Sequence, residues 1–231
     1  MESKECSRKH QLNIGDKKGI IEDSKNSKAG PVLGGTEMSY MKAKRLTDLI
    51  LSIAGLIVLS PLFILLMIAI KLDTRGPVFF KQERIGYKKE IFEILKFRTM
   101  RIDTPKNVPT HLLDQPDKWI TATGRFLRKT SLDELPQILN VIKGDMSVVG
   151  PRPALWNQQD LIAERDKYGA NDVPVGITGW AQLNGRDELP IEIKAKYDGE
   201  YVKHFGLKMD LKCFFKTIYS VFTGKGVKEG R

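Results

Sequence analysis

The chain has 231 residues, 38 Lys and Arg against 28 Asp and Glu, a formal net charge of +10 and 41% hydrophobic residues. This allows one ordinary domain with additions or two small ones, and it excludes a wholly disordered chain. Two cysteines and three histidines exclude a disulfide scaffold and argue against a Cys- or His-built metal centre, while the positive balance points to an anionic partner: nucleic acid, a phosphorylated small molecule or an anionic bilayer.

Residues 1–40 are polar and mixed in charge, without helical or strand period, and read as a flexible tail; no apolar core follows a basic start, so they are not a signal peptide. Residues 49–70 (LILSIAGLIVLSPLFILLMIAI) carry no charge, and as a straight helix of about 33 Å they would reach across a bilayer's hydrocarbon. Pro61 removes an amide donor and crowds the carbonyl of Ile57, which predicts a break or sharp kink at Ser60-Pro61. Both flanks are basic, with Lys42, Lys44 and Arg45 before the run and Lys71, Arg75, Lys81 and Arg84 after it. The positive-inside rule then wants both ends on the cytoplasmic side. A helix–break–helix that enters one leaflet and returns meets both observations; a kinked spanning helix meets the first.

After Gly76-Pro77, residues 78–82 and 91–97 read as short strands, and the proline-bearing stretch 103–118 as a loop. Residues 131–142 place Leu132, Leu135, Ile138, Leu139 and Ile142 at helical spacing. Ser131 and Glu134 would form a capping box, Pro136 moves the start toward Leu135, and Gly144 ends the helix. Residues 207–222 carry Leu211, Phe214, Phe215, Ile218 and Phe222 along one side and Lys208, Lys212 and Lys216 along another. That pattern suits an ordinary surface helix, or one lying in the headgroup plane with its lysines toward anionic lipid.

The candidate chemistry sits at Asp133-Glu134. Neighbouring carboxylates point about 100° apart on a helix, so one can face a reacting centre while the other holds a cation. Arg125, Arg128 and Lys129 lie just upstream and would bring phosphate to the same place. A carboxylate nucleophile, a divalent cation and Arg together suit phosphoryl transfer; the alternative is a capping box beside a solvated charge run. Asp187-Glu188-Leu189-Pro190 repeats the tetrapeptide without the three cations. In Pro151-Arg152-Pro153 the prolines hold a guanidinium in a rigid turn. Lys96 and Arg98 fall on one face by strand alternation. No glycine-rich phosphate loop is present.

Lys44-Arg45-Leu46-Thr47-Asp48 before an apolar run with Ser60-Pro61, then 76–86 (GPVFFKQERIG), 96–100 (KFRTM), 131–137 (SLDELPQ), 144–153 (GDMSVVGPRP) and 176–182 (GITGWAQ), resemble the bacterial sugar transferases, the monotopic polyprenyl-phosphate phosphoglycosyl transferases. The likeness runs in order from about Lys42 to the C-terminus. It implies transfer of sugar-1-phosphate from a UDP-sugar to polyprenyl phosphate, with release of UMP, at the cytoplasmic face of the bacterial inner membrane. By that likeness Asp133 is the covalent nucleophile and Glu134 holds Mg²⁺, for which Mn²⁺ can substitute. Arg128, Lys96 and Arg98 belong to the basic site, Arg152 between Pro151 and Pro153 contacts the nucleotide, and Ser60-Pro61 breaks a re-entrant helix.

The expected fold is irregular α/β: a tail over 1–40, a re-entrant membrane helix over 41–75, and a small catalytic domain over 76–231 with interfacial amphipathic helices. UDP-sugar, polyprenyl phosphate and membrane lipid are the expected partners, and nucleic acid is not. A membrane-tethered basic binding module without catalysis and a membrane phosphodiester hydrolase are the rival functions.

Overall fold

The computed structural model describes residues 35–104, 116–185 and 189–223. The apolar run becomes α1 (Gly35–Asp73, 39 residues), about 58 Å long if straight. Among the described residues it is the one helix long and apolar enough to cross a membrane. It includes residues 35–40, the end of the stretch expected to be tail; residues 1–34 lie outside the described residues.

The chain stays helical through Ser60-Pro61, the point at which a break or sharp kink is expected, and Pro61 lies inside α1. Pro61 has no N–H to offer the carbonyl of Ile57, four residues back. The neighbouring Ser60 hydroxyl donates to that same carbonyl at 2.8 Å. The serine thus satisfies the acceptor that the proline leaves open.

One face of α1 lies against the rest of the protein along nearly its whole length. Lys44, Asp48, Ser52, Phe63, Leu66 and Ile70 are buried, with spacings that follow the helical repeat. Ile50, Ile57, Val58, Ile64, Leu65, Ile68 and Leu72 face outward.

Two strands follow, β1 (Phe79–Ile85) and β2 (Ile91–Phe97), paired antiparallel with Phe79 opposite Phe97 and Ile85 opposite Ile91. Helix α2 (Ala122–Thr130) is capped by Thr121, whose side chain accepts from the Gly124 amide. Gly124 touches the Thr99 backbone so closely that a Cβ there would sit 2.0 Å from the carbonyl oxygen. The expected capping box at Ser131 does not form. Ser131 is the left-handed residue (φ 56°) closing α2, and residues Leu132–Glu134 make a 3-10 turn. Proline again supplies the reason. Pro136 cannot donate to the Leu132 carbonyl, so Leu135 does, at 3.2 Å, and α3 (Gln137–Lys143) begins only after it. Gly144 ends α3 in the left-handed region (φ 106°), as expected.

Next come β3 (Ser147–Val149), β4 (Ala154–Leu155), α4 (Gln159–Asp166), β5 (Gly176–Thr178), α5 (Trp180–Leu183), α6 (Ile191–Lys203) and α7 (Leu207–Thr223). β4 joins the other edge of β1, giving the order β2-β1-β4, while β3 and β5 form a parallel pair. The protein is mixed helix and small sheet, the irregular α/β class expected.

Phe63, Leu66 and Ile70 of α1 share one core with Phe97 and Leu127. Val149, Val173, Tyr201, Phe205, Met209 and Cys213 form another. Helix α7 occupies the expected span, but its lysines behave differently. Lys212 and Lys216 place their ammonium groups 4.1 and 4.6 Å from the centre of the Trp180 ring, a cation–π arrangement that draws them toward the domain. The outward side of α7 carries Leu207, Leu211, Phe215, Ile218 and Tyr219.

Candidate active site

Three elements converge on the acid pair. The 3-10 turn after α2 delivers Asp133 and Glu134, β2 delivers Lys96, and the turn between β3 and β4 delivers Arg152. Lys96 Nζ lies 2.7 Å from Glu134 Oε1 and 3.9 Å from Asp133 Oδ2. Arg152 forks onto the same Glu134 carboxylate, Nη2 to Oε1 at 2.7 Å and Nη1 to Oε2 at 3.3 Å. Burial by itself would raise the Glu134 carboxyl. The charges of Arg152 and Lys96 and their hydrogen bonds outweigh it, holding Glu134 well below the usual carboxylate range. Glu134 is therefore ionised at neutral pH. Asp133, only 4% exposed, sits beside it in a site that excludes most water.

The other expected residues separate into two groups. Pro151 and Pro153 are buried and fix the Arg152 turn from both sides: the Pro151 carbonyl accepts from the Gly176 amide at 2.9 Å and the Pro153 carbonyl from Arg84 Nη1 at 3.2 Å. Arg128 lies on α2, with Nε donating to Thr99 Oγ1 at 3.0 Å. Arg98 is used elsewhere. Its guanidinium donates to the Thr74 carbonyl (2.8 Å), the Thr74 hydroxyl (2.8 Å) and the Arg75 carbonyl (2.9 Å), clasping the exit of α1. β2 ends at Phe97, so the alternation that would set Arg98 beside Lys96 stops one residue short. Ser60 and Pro61 are exposed on α1, away from this cluster in role. Asp187 and Glu188, the second copy of the tetrapeptide, lie outside the described residues.

The structure adds residues that the sequence did not single out. Asn140, 2% exposed, completes the free edge of β2: its Oδ1 accepts from the Leu95 amide at 2.9 Å and its Nδ2 donates to the Glu93 carbonyl at 2.7 Å. A side-chain amide here stands in for a neighbouring strand and fixes the backbone that carries Lys96. A second network ties α1 to α7. Tyr40 (2.8 Å), Lys44 and Tyr201 (2.7 Å) all donate to the Asp210 carboxylate, and Asp48 accepts from the Ser147 hydroxyl (2.7 Å) and Val148 amide (3.1 Å). Lys44, Arg45 and Asp48 stand in the motif preceding the apolar run, and that is the signal that could have marked them; Arg45 donates to the Val141 and Ile142 carbonyls.

Among the described residues no group of three or more His, Cys, Asp or Glu side chains could cage a metal ion. The acid pair fits a different mode, in which Mg²⁺ takes one or two carboxylates and completes its shell from substrate phosphate and water. Glu134, whose carboxylate Lys96 and Arg152 engage, is the residue that would hold such an ion.

An acid pair whose Glu134 is gripped by Lys96 and Arg152, set beside a long apolar helix, is the equipment of a membrane-associated enzyme that handles phosphate. The profile of the family described as bacterial sugar transferase matches residues 39–224, and the chain belongs to that family. It is 36% identical over 198 residues to the exopolysaccharide production protein ExoY of Sinorhizobium fredii, covering 80% of this chain and 87% of that one. It is 40% identical over 190 residues to the uncharacterized sugar transferase EpsL of Bacillus subtilis, covering 82% and 92%. With the UDP-glucose:undecaprenyl-phosphate glucose-1-phosphate transferase of Escherichia coli it shares 38% identity over 189 residues, 79% of this chain but 40% of that longer protein.

Proposed function

We propose that the protein moves the sugar-1-phosphate of a UDP-sugar onto polyprenyl (undecaprenyl) phosphate at the cytoplasmic face of the membrane, releasing UMP. This would be the first membrane step in making a surface polysaccharide or glycoconjugate. The observation that carries it is the buried Asp133 standing beside a Glu134 that Lys96 and Arg152 hold ionised. The substrates are suggested by relatives such as the Escherichia coli enzyme.

In the first step an oxygen of the Asp133 carboxylate bonds to the β-phosphorus. The bond from that phosphorus to the bridging oxygen breaks, and UMP leaves with the electron pair. In the second step an oxygen of polyprenyl phosphate bonds to the same phosphorus, and Asp133 departs as a carboxylate. Lys96, Arg128 and Arg152 counter the phosphate charge throughout. Mg²⁺ or Mn²⁺, held at Glu134, would supply further neutralisation of the diphosphate. The test is UMP release from a panel of UDP-sugars with undecaprenyl phosphate. One sugar should be favoured, with product in the lipid phase. Release of sugar phosphate into water regardless of acceptor would identify a hydrolase, and no release from any donor would leave a binding module.

The buried stripe on α1 supports a monotopic arrangement. Buried residues lie from Lys44 to Ser52 and from Phe63 to Ile70, with Gly55, Leu56, Leu59 and Leu62 half-buried between them, so one side of the apolar run, about as long as the hydrocarbon is thick, lies against the protein. A helix standing upright across the bilayer would draw its partners Val141, Ser147, Phe97 and Leu127 into the hydrocarbon with it. Labelling with an impermeant thiol reagent should find Cys introduced at Lys42 and at Arg75 on the same, cytoplasmic, side; labelling from opposite sides would contradict a monotopic arrangement. Gly76 is a poor labelling position, because its φ of 121° and the Arg98 guanidinium 2.3 Å from a built Cβ both oppose a side chain.

A further inference from the structure

We propose that the Lys96–Glu134–Arg152 clamp is a resting lock that a nucleoside diphosphate and a divalent cation open only together, so that each binds poorly without the other. The inference rests on the donor-nucleotide role proposed above and goes beyond it, because it sets the order and coupling of binding rather than the identity of the donor.

Charge comes first. Lys96 and Arg152 bring two positive groups onto the one Glu134 carboxylate, each at 2.7 Å, and Asp133 Oδ2 lies 3.9 Å from Lys96. A diphosphate arriving alone meets two of the site's cations, Lys96 and Arg152, already engaged by Glu134. A divalent cation arriving alone meets a carboxylate with one oxygen held by Lys96 and Arg152 and the other by Arg152, and it would have to settle against both positive groups. Each ligand removes the obstacle to the other. Once phosphate oxygens take over the guanidinium and ammonium, Glu134 is open to the cation, and the cation then adds attraction for the diphosphate.

Arg152 is the group built to move. Its side chain is 26% exposed against 17% for both Lys96 and Glu134. Its backbone is pinned by buried prolines on either side, so the guanidinium can swing from carboxylate to phosphate without shifting the turn. An arginine fork suits both partners, since carboxylate and phosphate present similar pairs of oxygens. By linkage the coupling must be the same read from either ligand.

The experiment uses the full chain in detergent or nanodiscs, with Mn²⁺ and UDP as probes, and corrects for the Mn²⁺–UDP complex in solution. Bound Mn²⁺ is followed by electron paramagnetic resonance and UDP by calorimetry. The wild-type protein should bind Mn²⁺ on the order of 10- to 100-fold more tightly with UDP present than without it. Glu134→Gln leaves Lys96 and Arg152 uncompensated, so in chelator it should bind UDP more tightly than wild type does, and its coupling should collapse toward one. Arg152→Gln should move the other way, binding Mn²⁺ better in the absence of UDP while binding UDP less well; it carries the test if Glu134→Gln fails to fold. Mn²⁺ affinity of wild type that ignores UDP, or no gain in UDP affinity for Glu134→Gln in chelator, would overturn the lock alone. A wild-type protein that binds no UDP even with Mn²⁺ would overturn both the lock and the donor-nucleotide role.

Discussion

Replacing Asp133 by Asn should abolish the burst of UMP that the wild-type protein releases from UDP-sugar without any lipid acceptor, and should lower turnover by at least about 10⁴-fold, the scale of losing a nucleophile. The wild-type protein should gain the mass of one phosphosugar in that burst; the variant should gain nothing. An amide keeps the shape of the buried carboxyl but lacks the electron-rich oxygen that bonds to phosphorus. Nucleotide binding should survive, because Lys96 and Arg152 keep their 2.7 Å contacts with Glu134 in the variant. Asp187→Asn, in the repeated tetrapeptide, should keep most activity. An Asp133→Asn protein that still takes up the phosphosugar, or an adduct found on Asp187, would place the chemistry on the wrong acid pair.

The largest expected effect on stability lies away from the site. Asp198 on α6 and Arg165 on α4 are 0% and 2% exposed, and both Arg165 Nε (2.8 Å) and Nη2 (2.6 Å) reach the same carboxylate oxygen. Burial pushes the Asp198 carboxyl up even with Arg165 against it, which shows how far from water the pair sits. Asp198→Ala would strand a guanidinium in that interior at a cost of about 3–5 kcal/mol, a large part of the roughly 5–15 kcal/mol that holds a domain folded. The thermal midpoint should fall steeply. The double variant Asp198→Leu with Arg165→Met should recover much of the loss, since an apolar pair of similar volume leaves no buried charge. A single variant as stable as wild type would mean that water already reaches the pair.

Elements with a strong local signature were legible from the residues. The uncharged run produced α1, the alternating stretches around Gly86 produced the hairpin, and Gly144 closed α3 where its position required. The sequence read less well wherever one missing amide decided the outcome. Ser131 and Glu134 have capping-box spacing, yet Pro136 withholds the hydrogen bond that would let a helix run through them; Pro61 has the same defect, but Ser60 repairs it and the helix continues. Periodicity also shows that a face exists without showing its neighbour. The lysines of α7 form a regular row in the sequence, and only the position of Trp180 turns two of them inward. Asn140 and Asp210 were illegible for a related reason: their partners stand 45 and 166 residues away, and no local pattern announces such a pairing. The acid pair stood out in the sequence beside Arg125, Arg128 and Lys129, while its contacts with Lys96 and Arg152 needed the fold.

The buried polar stripe at the start of α1 also has a consequence for how the protein is made. Lys44, Asp48 and Ser52 leave the ribosome early, but Ser147 follows about a hundred residues later and Asp210 later still. At roughly 5–20 residues per second, Lys44 and Asp48 wait several seconds at least before these partners can reach them. During that interval it can lodge in lipid through its apolar side while its lysine and aspartate stay in the wet headgroup layer. Membrane insertion can therefore precede completion of the domain, leaving the domain to assemble onto a helix already at the bilayer. A chain halted before Asp210 would keep its anchor yet leave Lys44 without the carboxylate it was placed to meet.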